Sequence, residues 1–134
     1  MREIKYRGKR IDTGEWIYGN LIGSDVIVGD IVDWDDEYFC TEFWYKVDPE
    51  TVGQYTGDKN RGYEGDIIGY VEPERGEHGD IIDYNYYKGV VEWDNERSGF
   101  ILRCSNGNEW LDHLMNITIV GNRWDNPNLI GGNQ

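Results

Sequence analysis

The chain is poor in the side chains from which most catalytic sites are built. Its 134 residues include two histidines, His78 and His113, and two cysteines, Cys40 and Cys104. Nucleophilic catalysis needs a nucleophile beside a base, with a third group orienting the base. No nucleophile elbow, no Gly-rich phosphate loop ending in Lys-Ser/Thr and no dinucleotide fingerprint occurs. Alanine is absent, which removes the best helix former. Apolar runs stop at three or four residues, far short of the ~20 that a membrane-spanning helix requires. No apolar segment follows Met1-Arg2-Glu3, so no export signal is expected. A cytoplasmic protein with no membrane partner is expected, its two cysteines reduced and packed rather than bridged. Cations are scarce too: 13 against 26 acids, a formal charge of −13. Extended contact with nucleic acid needs a basic face, so none is expected.

The cations gather once, at Arg2, Lys5, Arg7, Lys9 and Arg10. Such a cluster suits either an anion-binding arm or a solvated edge strand whose Lys and Arg discourage sheet-to-sheet pairing, and the edge strand is the expectation. The acids are spread evenly, with net charge −7 over residues 1–67 and −6 over 68–134. That describes a folded acidic surface rather than a disordered tail. Ten Tyr, six Trp and 18 Gly point to pleated, half-buried surfaces joined by tight turns.

An all-β fold follows, with little helix. Strands are expected at Glu3–Arg7, Trp16–Ile22, Val26–Val28, Ile31–Trp34, Tyr38–Val47, Ile67–Val71, Ile81–Tyr87, Gly89–Trp93, Gly99–Cys104, Glu109–Leu111 and Ile117–Val120. Asn106-Gly107 is a hairpin signal, and the Glu72–Asp80 stretch reads as a solvated loop or hairpin tip. One helical turn is expected at Asp112–Asn116 and another from Pro127 to Ile130, capped by Asp125 or Asn126. Ile31–Glu37 echoes Val90–Glu96, read as two hairpins reusing one strand-turn pattern. The expected division is an N-terminal β-hairpin and meander subdomain at 1–62, a second β subdomain at 63–130 and a disordered tail at 131–134.

Metal-ligand types gather at Glu74, Glu77, His78 and Asp80, but a loop without a scaffold reads as a charged tip. Asp58, Asn60, Gly62, Glu64 and Asp66 follow calcium-loop spacing at first. The motif then fails, because Gly69 stands where the bidentate glutamate belongs. Carboxylate pairs such as Asp35 with Asp36 are ordinary among 26 acids. The six Trp could stack on bases or sugars, but such residues more often fill a small core or an interface. No catalytic, cofactor or metal residue is assigned.

The stretch Val47-Asp48-Pro49-Glu50-Thr51-Val52-Gly53-Gln54-Tyr55-Thr56-Gly57, followed by Tyr63-Glu64-Gly65-Asp66-Ile67-Ile68, resembles the YopX family of small phage and prophage proteins. The opening Met1–Gly8 with Trp16, the Gly89–Trp93 hairpin with Phe100, and the ending Val120–Ile130 resemble it as well. The turn before Tyr63 is shorter here than in the family, and the Gly69–Tyr87 connection is longer. The resemblance implies an all-β protein with a small SH3-like β-barrel in its C-terminal half and no established activity. Gly53, Gln54, Tyr55 and Gly57 with Tyr63, Glu64, Gly65 and Asp66 form a candidate structural or ligand-binding turn. The expected function is non-enzymatic binding and assembly in the cytoplasm of a host cell, as a homo-oligomer. An acidic decoy or inhibitor of a basic, nucleic-acid-binding host protein is the alternative. A small metal-dependent enzyme using His78 or His113 is the weakest reading.

Overall fold

The computed structural model describes residues 5–34, 39–104, 107–114 and 116–130. Every strand pair in it is antiparallel. The chain divides into two compact units, 1–57 and 58–134, so the Asp58–Gly62 turn lies in the second. Among the described residues no helix is long and apolar enough to cross a membrane. The expected tail at 131–134 and the acidic turn at 35–37 lie outside the described residues.

The first unit carries β1 (Tyr6–Lys9), β2 (Trp16–Ile22), β3 (Val26–Val28), β4 (Ile31–Trp34), β5 (Phe39–Thr41), β6 (Trp44–Lys46) and β7 (Gly53–Gln54). Five of these form one sheet in the order β6-β3-β2-β1-β7, and β4 pairs with β5 separately. Ile27 and Val47 are fully buried in this unit. Gly8 lies against Val47, where a Cβ would come within 2.9 Å of its methyl group.

Three expectations fail here. The Tyr38–Val47 strand is two strands in different sheets. The chain breaks at Glu42-Phe43, where the Thr41 hydroxyl donates to the Phe43 carbonyl and Gly29 N–H donates to the same oxygen. The cationic β1 is no edge strand, because β2 and β7 flank it. Its Arg7 is buried, with the guanidinium 4.5 Å from the centre of the Trp16 ring. Stacking on an aromatic face lets a cation enter a packed sheet. Cys40, expected to be packed, is exposed, whereas Cys104 is buried.

The second unit carries β8 (Asp66–Arg75), β9 (Ile81–Asp94), β10 (Gly99–Cys104), β11 (Gly107–Trp110) and β12 (Thr118–Asn122), in the order β11-β10-β9-β8-β12. The sheet is open, with β11 and β12 at its two edges. Its core gathers Ile68, Tyr70, Val91, Leu102 and Leu111 among others. One 3-10 turn at Leu111–His113 precedes β12, and another spans Pro127–Leu129. Asn126 precedes the latter without a side-chain cap bond from its own turn.

The expected strands Ile81–Tyr87 and Gly89–Trp93 are one continuous strand of 14 residues, and β8 runs on to Arg75 through the expected loop. Pro73 can sit inside β8 because β12 pairs only as far as Gly69. Beyond that point no strand among the described residues pairs with the outer side of β8 and needs the missing N–H.

Candidate binding surface

The eight residues of the candidate turn fall into the two units. In the first unit, Gly53 is a buried strand residue opposite Arg7, not a turn glycine. Gln54 lies opposite Tyr6, and Tyr55 N–H donates to the Lys5 carbonyl at 2.7 Å. The Lys5 ammonium stands 5.2 Å from the Tyr55 ring centre. Gly57 has a φ of 95°, the left-handed conformation that favours glycine. Just upstream, Asp48 caps the Pro49–Thr51 turn by accepting from Glu50 N–H, and the Thr51 hydroxyl bonds Lys9 N–H and the Asp48 carbonyl.

In the second unit, Tyr63 to Asp66 form a packed corner. Asp66 is 5% exposed, and its carboxylate accepts from Tyr63 N–H at 2.8 Å. Gly65 has a φ of 90°, and a Cβ there would enter the Trp124 ring. Its N–H donates to Val91 and its carbonyl accepts from Arg123. Glu64 is half-buried beside them.

Arg61, which sequence reading did not single out, organises the turn before that corner. Its Nε donates to the Leu111 carbonyl at 3.1 Å, and one terminal nitrogen donates to Leu114 at 3.1 Å and Asp112 at 3.5 Å. Its other terminal nitrogen pairs with Asp58. The forked guanidinium can hold several oxygens at fixed angles. Asp58 also accepts from Asn60 N–H, and that bond, with the Arg61 charge, holds its carboxyl below the usual range. Asp58 and Asp66, acids in the calcium-like spacing, are thus engaged by the fold.

The two histidines stand in different settings. His113 is exposed, its ring 6.3 Å from that of Trp110. His78 sits at the exposed tip between β8 and β9, where Gly76 N–H donates to Asp80 and Arg75 donates to the Gly79 carbonyl. Among the described residues no three His, Cys, Asp or Glu converge to hold a metal ion. Cys104 lies 3.9 Å from the Tyr70 hydroxyl in the core, and burial pushes the ionisation of both groups upward.

The outer half of the β8–β9 hairpin is exposed on both strands. Asp66–Tyr70 are buried, and Val71–Arg75 are all exposed. Ile81–Tyr86 are exposed likewise before Gly89–Val91 return to the core. Register sorts this two-stranded ribbon into two faces. Val71 faces Tyr86 and Pro73 faces Tyr84, and Arg75 with Ile81 comes next on the same side, a register shift after Glu74 leaving Ile82 as the extra residue of a bulge. Glu72 with Asn85 and Glu74 with Asp83 occupy the reverse side. A Cβ at Gly69 would collide with the Tyr86 hydroxyl, so that glycine lets the ring lie flat on the strand. Ile81–Tyr87 was legible as a strand while Glu72–Arg75 read as loop or hairpin tip, and only the pairing register shows that the apolar positions share a face.

A family model described as YopX protein matches residues 5–131. No curated protein and no solved structure matches the chain.

Proposed function

This chain belongs to the YopX family, and from that premise we propose that it is a phage- or prophage-encoded protein that acts by binding and self-assembly rather than by catalysis. The observation that carries the reading is the ribbon, whose apolar face is left open to solvent by its own chain. Soluble monomers seldom expose apolar patches much above a few hundred Å². In this reading the protein works in the cytoplasm of the host as a homo-oligomer. The Gly53–Gly57 and Tyr63–Asp66 turns serve as structural corners, and His78 and His113 have no catalytic part. The SH3-like barrel that the resemblance implied belongs in this reading to the second unit, whose five strands form a sheet open between β11 and β12 with a 3-10 turn before β12. Light scattering of the purified chain at micromolar concentration tests the assembly. A multiple of 15.6 kDa is expected, and a strict monomer overturns it.

A second reading, the acidic decoy of a basic host protein, draws on the reverse face of the ribbon. Glu72, Glu74 and Asp83 line it, with Glu77 and Asp80 at the tip. Carboxylates in a row can imitate phosphates. Capture of a basic protein from host lysate at low salt, and its loss at high salt, is the result that this reading requires.

A further inference from the structure

We infer that the apolar face of the β8–β9 ribbon is the surface on which a second copy of this chain docks, ribbon face against ribbon face. The inference rests on the self-assembly reading and assigns it a place. Val71 is 39% exposed, Ile81 45%, Tyr84 61% and Tyr86 58%, and Pro73 lies exposed between them. Strict alternation of apolar and polar positions belongs to a sheet with one covered face. In the ribbon the apolar positions lie on the side opposite to the one that carries Ile68 and Tyr70 into the chain's own core. A bare two-stranded hairpin is at best marginal in water, so a second layer supplies what the ribbon lacks.

Area and charge select the occupant. With about 200 Å² as the scale for one tyrosine side chain, the five side chains leave on the order of 500 Å² open per chain. Two copies meeting there remove about 1,000 Å² from water, which is where specific interfaces begin. Two chains of formal charge −13 repel each other in most orientations. Face-to-face docking avoids that contact, because Glu72, Glu74 and Asp83 point away on the reverse side. The charges on the apolar side are cations, Arg75 toward the tip and Lys88 at the base opposite Gly69. Neither makes an ion pair among the described residues, so both can meet the acidic surface of a second copy. Tyr84 and Tyr86 bring large contact area with a polar hydroxyl, the combination enriched in interfaces.

Sedimentation equilibrium of the full chain tests this with three variants. Tyr84→Glu and Ile81→Glu each place a carboxylate on the apolar face. The double change Glu72→Gln with Asp83→Asn alters only the reverse face. The expected result is a wild-type mass at least twice 15.6 kDa, a fall to a single chain in both apolar-face variants, and no loss of mass in the reverse-face variant. Circular dichroism establishes that each variant is folded. An oligomer that persists in folded Tyr84→Glu and Ile81→Glu overturns this interface and leaves self-assembly standing. A wild-type monomer overturns both. If that monomer captures a host protein and Tyr84→Glu abolishes the capture, the face serves a different partner and self-docking is again overturned.

Discussion

Arg61 shows how much one side chain can hold in a small β protein. Its guanidinium bonds the carbonyls of Leu111, Asp112 and Leu114 and pairs with Asp58, while its side chain is 20% exposed. Replacing it by alanine leaves three acceptors without their donor. Arg61→Ala is expected to lower stability by about 2 kcal/mol, on the scale of hydrogen bonds made to charged groups. Lysine is a point charge without the fork, so Arg61→Lys should recover less than half of that. Urea denaturation of the three proteins checks both statements. Cys104 and Tyr70 give a second prediction. Burial raises both ionisations in the folded state. The native chain therefore keeps protons that the unfolded chain releases from about pH 8.5 for the thiol and about pH 10 for the phenol. Stability is fully present below those values and falls as pH rises through them. The urea midpoint should drop between pH 8 and pH 10.5, and Cys104→Ala should make that drop smaller.

At the level of elements, the sequence was most readable where side chains alternate and turns carry their own chemistry. Trp16–Ile22, Val26–Val28 and Gly99–Cys104 stand as expected. Position in the sheet was less legible, because it depends on partners distant in sequence. The cations of β1 suggested an edge, yet Trp16 on β2 gives Arg7 an aromatic face inside the sheet. Pro73 and the acids around it suggested a loop, yet pairing with Tyr84 keeps the segment extended. The bonds from the Arg61 guanidinium to the carbonyls of Leu111, Asp112 and Leu114 were invisible for the same reason, since their acceptors lie far along the chain. The ribbon supplies the element-scale prediction. Residues 72–85 can be replaced by an Asn-Gly turn joining Val71 to Tyr86, since Val71–Arg75 and Ile81–Tyr86 lie outside the core. The shortened chain should keep its near-ultraviolet circular dichroism and sediment as a single chain.

For the whole molecule, charge and apolar surface act in opposite directions, and salt separates them. Self-docking between two chains of −13 proceeds against long-range repulsion, which salt screens. Association measured by sedimentation should therefore tighten severalfold between about 0.05 M and 0.5 M sodium chloride. Binding of a basic protein by the acidic face should weaken over the same range. The even spread of acid, which in the sequence indicated little more than a solvated surface, becomes informative once the ribbon shows where acid is missing.

The return of β12 to β8 has a kinetic consequence. Strands β8 to β11 are neighbours in sequence as well as in the sheet, so they can assemble hairpin by hairpin. β12 must instead close a loop from Thr118 back to Gly69, and the Arg61 bond to Leu111 spans 50 residues. Ordering that much chain before any bond rewards it places these contacts late on the folding route. A contact absent from the transition state governs how fast the native protein opens, and has little influence on how fast it forms. The last strand and its arginine thus act as a latch on the meander, setting the lifetime of the folded state.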